Sequence, residues 1–219
     1  TCYSKLNVKI AGAHGGISAG PDGATHQALE DVATMRVLPN MVVITPCDYW
    51  ETKKAVIWAC KYVGPVYVRF GREPVPMVTT AEDRFEFGKA NQINDGKDLT
   101  IINNGPILYE CIKAVQALKE KGISARLLNM HTVKPIDREA IAAAARETGG
   151  IVTVEEHQVM GGFGSAVAEV VVQTHPVPMR FIGIQDRFGE SGTPEQLFKE
   201  FGLTAADIIR AAEQVVQAK

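Results

Sequence analysis

Residues 13–31, A-H-G-G-I-S-A-G-P-D-G-A-T-H-Q-A-L-E-D, concentrate the side chains of this sequence best suited to chemistry. His14, Asp22 and His26 fall within thirteen residues of a chain that has only five histidines. Imidazoles beside a carboxylate can grip hydroxyl groups and move protons near neutral pH. Gly15, Gly16, Gly20 and Gly23 lie among them, and glycine lets a backbone turn tightly or approach a ligand closely. A polar loop whose Asp and His only satisfy nearby backbone groups is the competing account. Two histidines and an aspartate so close together tilt the weight towards function. Thr25 is placed to cap a following helix, which would project His26 from its first turn.

Such a loop needs a strand to deliver it and a helix to anchor it. The β-branched runs at 8–10, 42–44 and 66–68 read as strands buried on both faces, and the apolar runs at 99–102, 125–128, 151–154 and 179–184 as four more. Helical spacing over 26–37 puts Leu29, Val32, Ala33 and Val37 on one face before Pro39 closes it. Asp48 is the N-cap of a second helix that runs to residue 62, with Gly64 and Pro65 as its stop. Leu108, Cys111, Ile112, Val115 and Leu118 mark a third over 106–121; later helices fall at 137–148, 164–174, 194–201 and 204–218. Strands alternating with helices imply parallel sheets joined by crossovers. Residues 73–97 break that rhythm with Pro74, Pro76 and a predicted hairpin centred on Asn94, Asp95 and Gly96. The chain therefore divides into a first unit at 1–75, a linker at 76–98 and a second unit at 99–219. The first, with three strands, reads as part of an α/β domain; the second, with four, is complete enough to fold. An open strand edge and apolar surface on the first unit would invite self-association.

The 219 residues are 46% hydrophobic and 22% charged, the balance of a folded protein rather than a disordered one. Lys and Arg total 23 against 25 for Asp and Glu, with no basic cluster, which argues against nucleic-acid binding. No apolar run nears the roughly 18 residues of a membrane span. Cys2, Cys47, Cys60 and Cys111 form no C-x-x-C pair and have no histidine at ligand spacing, so no metal site is expected. Cys47, Cys60 and Cys111 read as core thiols of a cytoplasmic protein. His157 and the run Gly161-Gly162-Phe163-Gly164 miss the dinucleotide fingerprint, because Val167 stands where its last small residue belongs. Glycines that let a helix pack closely on its strand explain the run better. Asn103 and Asn104 read as a strand-end turn.

The loop and the residues after it resemble the transketolases of the thiamine-diphosphate superfamily. The likeness is carried by G-P-D-G-A-T-H-Q-A-L-E-D at 20–31, R-V-L-P-N-M at 36–41 and G-P-V-Y-V-R-F-G-R-E at 64–73. It continues through V-K-P-I-D at 133–137 and V-E-E-H-Q-V-M-G-G-F-G at 154–164, so it covers nearly the whole chain in order. Deoxyxylulose-phosphate synthases carry a similar loop but usually an Asp-Arg pair where His14 and Gly15 stand; the beta subunits of 2-oxoacid dehydrogenases lack the His26-Gln27 element. The resemblance implies an α/β protein of two parallel-sheet units, the back part of a pyrimidine-binding domain followed by a transketolase C-terminal domain. It also implies roles. His26 would touch the donor ketose near its terminal hydroxyl, and Asp22 would read a sugar hydroxyl, leaving an unpaired carboxylate against the wrong epimer. His14 and Arg72 would line the phosphate end of the substrate channel, where a guanidinium pairs phosphate oxygens bidentately. Arg69 competes with Arg72 for that role, and a solvated strand-end arginine is the plainer account of Arg72.

The same resemblance places the glutamate and aromatic residues that hold the aminopyrimidine ahead of the segment at 8–12, and the Mg2+–diphosphate site in a separate N-terminal domain. Thiamine diphosphate and Mg2+ would then be held mainly by residues ahead of Thr1 or by a partner chain. The expectation is a C-terminal, beta-like transketolase section, inactive alone and completed by an N-terminal chain, which acts on sugar phosphates and assembles with itself. A non-catalytic assembly module and a deoxyxylulose-phosphate synthase section are the alternatives.

Overall fold

The β-branched runs become strands in a computed structural model that describes residues 1–219. β1 (Lys9–Gly12), β2 (Val42–Ile44) and β3 (Val66–Arg69) pair in parallel in the order β1-β3-β2. A fourth strand of this sheet comes from the second unit: β7 (Thr132–Lys134) lies antiparallel to β2. The other sheet has the order β4-β6-β5-β8-β9, from β4 (Asn91–Asn94), β5 (Leu99–Asn104), β6 (Ala125–Asn129), β8 (Ile151–Gln158) and β9 (Met179–Ile184). All its pairings are parallel except that of β4 with β6.

The first sheet thus has four strands rather than three, and the second five rather than four. The hairpin at Asn94–Gly96 does not form, because β6 lies between β4 and β5. Gly96 passes so close to the Ala125 and Arg126 backbone that a side chain would not fit, and the turn carries the chain across the sheet instead of folding it back. Asn103 and Asn104 are buried at the end of β5, and the turn follows at Gly105.

The helices are α1 (Asp31–Val37), α2 (Tyr49–Lys61), α3 (Leu108–Glu120), α4 (Arg138–Thr148), α5 (Phe163–Thr174), α6 (Pro194–Glu200) and α7 (Ala205–Gln217). Asp48 caps α2 by accepting the Glu51 N–H at 3.1 Å. The first helix begins later than its periodicity predicts. Residues 24–26 form a separate 3-10 turn, and Ala28 bridges back to Gly15, which interrupts any continuous helix from Thr25. Thr25 therefore caps nothing, Leu29 is buried outside the helix and Val37 is 74% exposed. Cys60, expected in the core, faces solvent, because Ala55 and Ala59 carry the buried face of α2. Cys47 and Cys111 are buried free thiols. An alanine methyl at Gly164 would lie 2.5 Å from Phe181 Cδ1 and 2.6 Å from Thr153 Oγ1. The glycine run does let α5 sit hard against its sheet.

The units are strapped together. Thr45 N–H donates to the His131 carbonyl at 2.8 Å, and Lys134 Nζ reaches the carbonyls of Arg36 and Leu38 at 2.9 and 2.6 Å. Ile17 and Leu29, at the two ends of the glycine loop, are buried in the apolar cluster that holds Leu99, Ile101, Leu108 and Ile208 of the second unit. Burial of such a side chain stabilises by about 1.5–3 kcal/mol, so the loop is anchored outside its own sheet. β1 and β7 are the two edges of the first sheet, and Leu6 and Val8 beside β1 are exposed. No helix is long and apolar enough to cross a membrane.

Candidate functional site

Parallel pairing of β1 with β3, in the register Gly12 opposite Arg69, brings their carboxyl ends together. The loop leaving β1 is held there by Gly15 N–H donating to Phe70 O at 3.0 Å, then by Gly16 N–H to Ala28 O and Ala28 N–H to His14 O. His14 adopts φ of +59°, an uncommon conformation for a residue with a side chain, and is partly exposed beside this junction. Two 3-10 turns come next, Ile17–Asp22 and Ala24–His26. Residues 24–28 with Glu30 and Asp31 line an open cleft of about 320 Å³. His26 stands exposed in it, its Nδ1 3.0 Å from Thr25 Oγ1.

Asp22 and Arg72 are brought into contact, with Oδ2 and Nη1 2.7 Å apart. Arg72 Nη1 also donates to Ala19 O at 3.2 Å, and its Nε lies 3.7 Å from Glu73 Oε1. Arg69 sits differently. It is 2% exposed; Nε donates to Asp31 Oδ2 at 2.9 Å, and Nη2 to the carbonyls of Ala28 and Glu156 at 2.8 and 3.0 Å. Burial alone would push the Asp31 carboxyl up; the Arg69 guanidinium and the Tyr67 hydroxyl, 2.6 Å away, outweigh it and hold Asp31 below the usual range.

β8 packs behind the loop. Glu155 accepts the N–H groups of Phe163 and Gly164 at 2.7 Å each, at the start of α5, and burial pushes it up to about 8 against their pull. Glu156 Oε2 accepts the Ser18 N–H at 3.1 Å. His157 is buried 3.9 Å from Asp31, and burial, with Arg69 beside it, lowers it to about 4. A larger hollow of about 440 Å³ adjoins the site through Gly71 and Glu73 but holds no histidine. Its Cys47 thiol is pushed up by burial, and its Asp48 is committed to α2 and Thr79.

The structure therefore pairs Asp22 with Arg72, sets His26 in a cleft whose lining includes neither of them nor His14, and buries Arg69. Asp31 and Glu156 were not singled out by sequence, and Gln27 only as half of the His26-Gln27 element. The available signal was a pair of carboxylates, Glu155 and Glu156, inside an otherwise apolar strand, where charge is tolerated only with dedicated partners.

The model of the transketolase pyrimidine binding domain matches residues 1–77 and that of the transketolase C-terminal domain residues 88–208. The chain belongs to the transketolase family. It is 42% identical, over 99% of its length and 67% of the relative's, to the 6-deoxy-6-sulfo-D-fructose transketolase subunit SqwH of Clostridium sp. strain MSTE9. It is 46% identical to one subunit of the apulose-4-phosphate transketolase of Phocaeicola vulgatus, over 98% of this chain and 69% of that one. Among solved structures it resembles a split-gene transketolase described as an inactive beta4 tetramer, with TM-score 0.93 and 46% identity, covering all of this chain and 70% of that one. The transketolase of Leishmania mexicana, at 23% identity and TM-score 0.76, shares the fold. This transketolase-family chain thus spans about two thirds of the subunits it matches and 31% of the Leishmania chain.

Proposed function

We propose that this chain is the beta-type C-terminal part of a transketolase and supplies the sugar-reading edge of an active site completed by an N-terminal partner. The Asp22–Arg72 contact, on the loop that leaves the carboxyl end of β1 and also carries His14 and His26, carries this reading. Parallel sheets place ligand sites at such ends. The two-carbon ketol unit passes from a ketose phosphate to an aldose phosphate. His26 and Asp22 hold and orient sugar hydroxyls, while Arg72 and His14 take the anionic terminus. The names of the two subunit relatives each carry an anionic sugar, one a phosphate and one a sulfo group, and a guanidinium pairs either. Arg69, the competing candidate, has its donors committed to Asp31, Ala28 and Glu156, so the reading assigns it to building the loop rather than binding phosphate.

The residues of this chain do not by themselves fit thiamine diphosphate. The carboxylates at the edge are engaged: Asp22 with Arg72, Asp31 with Arg69 and Tyr67, and Glu156 with Ser18. No group of three or more His, Cys, Asp or Glu side chains is arranged to hold a metal ion. The cofactor, with Mg2+, belongs mainly to the N-terminal chain in this reading. The division into 1–75, 76–98 and 99–219, assembly of the chain with itself, and a cytoplasmic place in pentose phosphate interconversion are parts of the same proposal. The relative described as an inactive beta4 tetramer favours a beta part that assembles but does not turn over alone.

Mixing the purified chain with its N-terminal counterpart, thiamine diphosphate and Mg2+ tests the proposal. Ketol transfer that needs both chains supports it. An assembled complex without transfer overturns it and leaves the non-catalytic module. Release of CO2 from pyruvate, with a glyceraldehyde phosphate acceptor, would instead identify a deoxyxylulose-phosphate synthase section.

A further inference from the structure

The loop that carries Asp22 and His26 is shaped less by its own sheet than by the second unit. His26 and Gln27 are neighbours with opposite fates: His26 stands in the cleft, whereas Gln27 is 6% exposed. Gln27 Nε2 faces three carbonyls, those of Ile17 at 3.2 Å, Gly20 at 3.3 Å and Glu190 at 2.9 Å. Two belong to the loop and the third to the second unit. Gly189 lies so close to Gln27 Oε1 that any side chain there would collide with it. A second tie is independent of the first: Glu156, on β8, accepts the Ser18 N–H at 3.1 Å, one turn before Asp22. Ile17 and Leu29 bury the ends of the loop in the second unit's core. Asp22 and His26, between these anchors, have no tie of their own to that unit.

We propose that Gln27 and Glu156 are positioning residues through which the second unit sets the height and register of the sugar-reading loop. This rests on the function proposed above. Gln27 draws the two 3-10 turns onto the 189–190 backbone, and Glu156 fixes Ser18. Together they hold Asp22 against Arg72 and leave His26 facing the cleft. Displacement of a reading group by about 1 Å can cost on the order of 100-fold in rate, so loss of either tie should be felt by donors long enough to touch the loop.

The test uses the complex of this chain with its N-terminal partner and two donors, xylulose 5-phosphate and the shorter hydroxypyruvate. Gln27→Met and Glu156→Leu should lower kcat/KM about 10- to 100-fold for the sugar phosphate and less than about threefold for hydroxypyruvate. Glu156→Gln, whose amide oxygen can still accept from Ser18, should restore near wild-type values. Amide exchange over residues 16–23 should quicken in the two damaging variants while β8 keeps its protection. Equal losses with both donors, or unaltered exchange at 16–23, overturns the proposal. A wild-type complex without ketol transfer defeats the functional reading instead, and the exchange result then decides the positioning claim alone.

Discussion

Asp22 Oδ2 and Arg72 Nη1 meet at 2.7 Å, with 34% and 38% of their side chains exposed. An ion pair that open to solvent contributes only about 0–1 kcal/mol, so stability does not account for it. Arg72→Met should leave the denaturant midpoint nearly unchanged and lower kcat/KM of the assembled enzyme about 10- to 100-fold, the worth of one charged hydrogen bond to substrate. Asp22→Asn releases the guanidinium. KM for anionic donors should fall while discrimination between epimers weakens, as steady-state kinetics on an epimeric donor pair would register.

Arg69 predicts the opposite balance. Its guanidinium is buried and tied to Asp31 and two carbonyls. Removal of one partner from a buried pair typically costs about 3–5 kcal/mol, so Arg69→Met should unfold at clearly lower urea while Arg72→Met does not. Equal urea midpoints for the two variants would contradict the separate roles.

His131 is a pH-sensitive element of the packing between units. It stacks on Phe85 with ring centroids 4.4 Å apart, its Nε2 has no partner, and burial lowers it to about 4. Below its unfolded value of 6.5 the unfolded chain takes up a proton that the folded imidazole refuses, so this residue weakens the fold increasingly as pH falls towards 4. His131→Phe removes that penalty. The difference in unfolding free energy, variant minus wild type, should rise by about 2 kcal/mol between pH 7.5 and pH 5. A pH-independent difference refutes it.

Gly164 is the test of the packing role given to the glycine run. The contacts of an added methyl with Phe181 and Thr153 are too short to relax without moving α5. Gly164→Ala should destabilise by about 1–3 kcal/mol, measured by thermal or urea unfolding. An unchanged or raised stability would sink that reading.

The elements legible in sequence were those whose signal is local. Short apolar runs marked seven of the nine strands, and Asp48 marked its helix, because such runs and an N-cap are written in adjacent residues; β1, read as buried on both faces, is instead a partly exposed edge. β4 and β7 escaped notice, since Asn91–Asn94 and Thr132–Lys134 are short and owe their pairing to strands far away in sequence. The start of α1 was misread because Leu29 follows the helical apolar rhythm yet is buried by the second unit. His14, Asp22, His26 and Arg72 were visible as chemistry-bearing residues, of which the structure joins Asp22 to Arg72 and sets His26 in a cleft without the other three. Which arginine faces outwards was not readable from type and spacing; Asp31 and the Glu156 carbonyl decide it.

The most direct test follows imidazole signals of 15N-histidine-labelled chain, assembled with its N-terminal partner without thiamine diphosphate, as a sugar phosphate is titrated in. His14 and His26 should shift together and saturate, while exposed His175 at the end of α5 stays fixed. Unmoved His14 and His26 signals, or a shift confined to His175, would contradict the account.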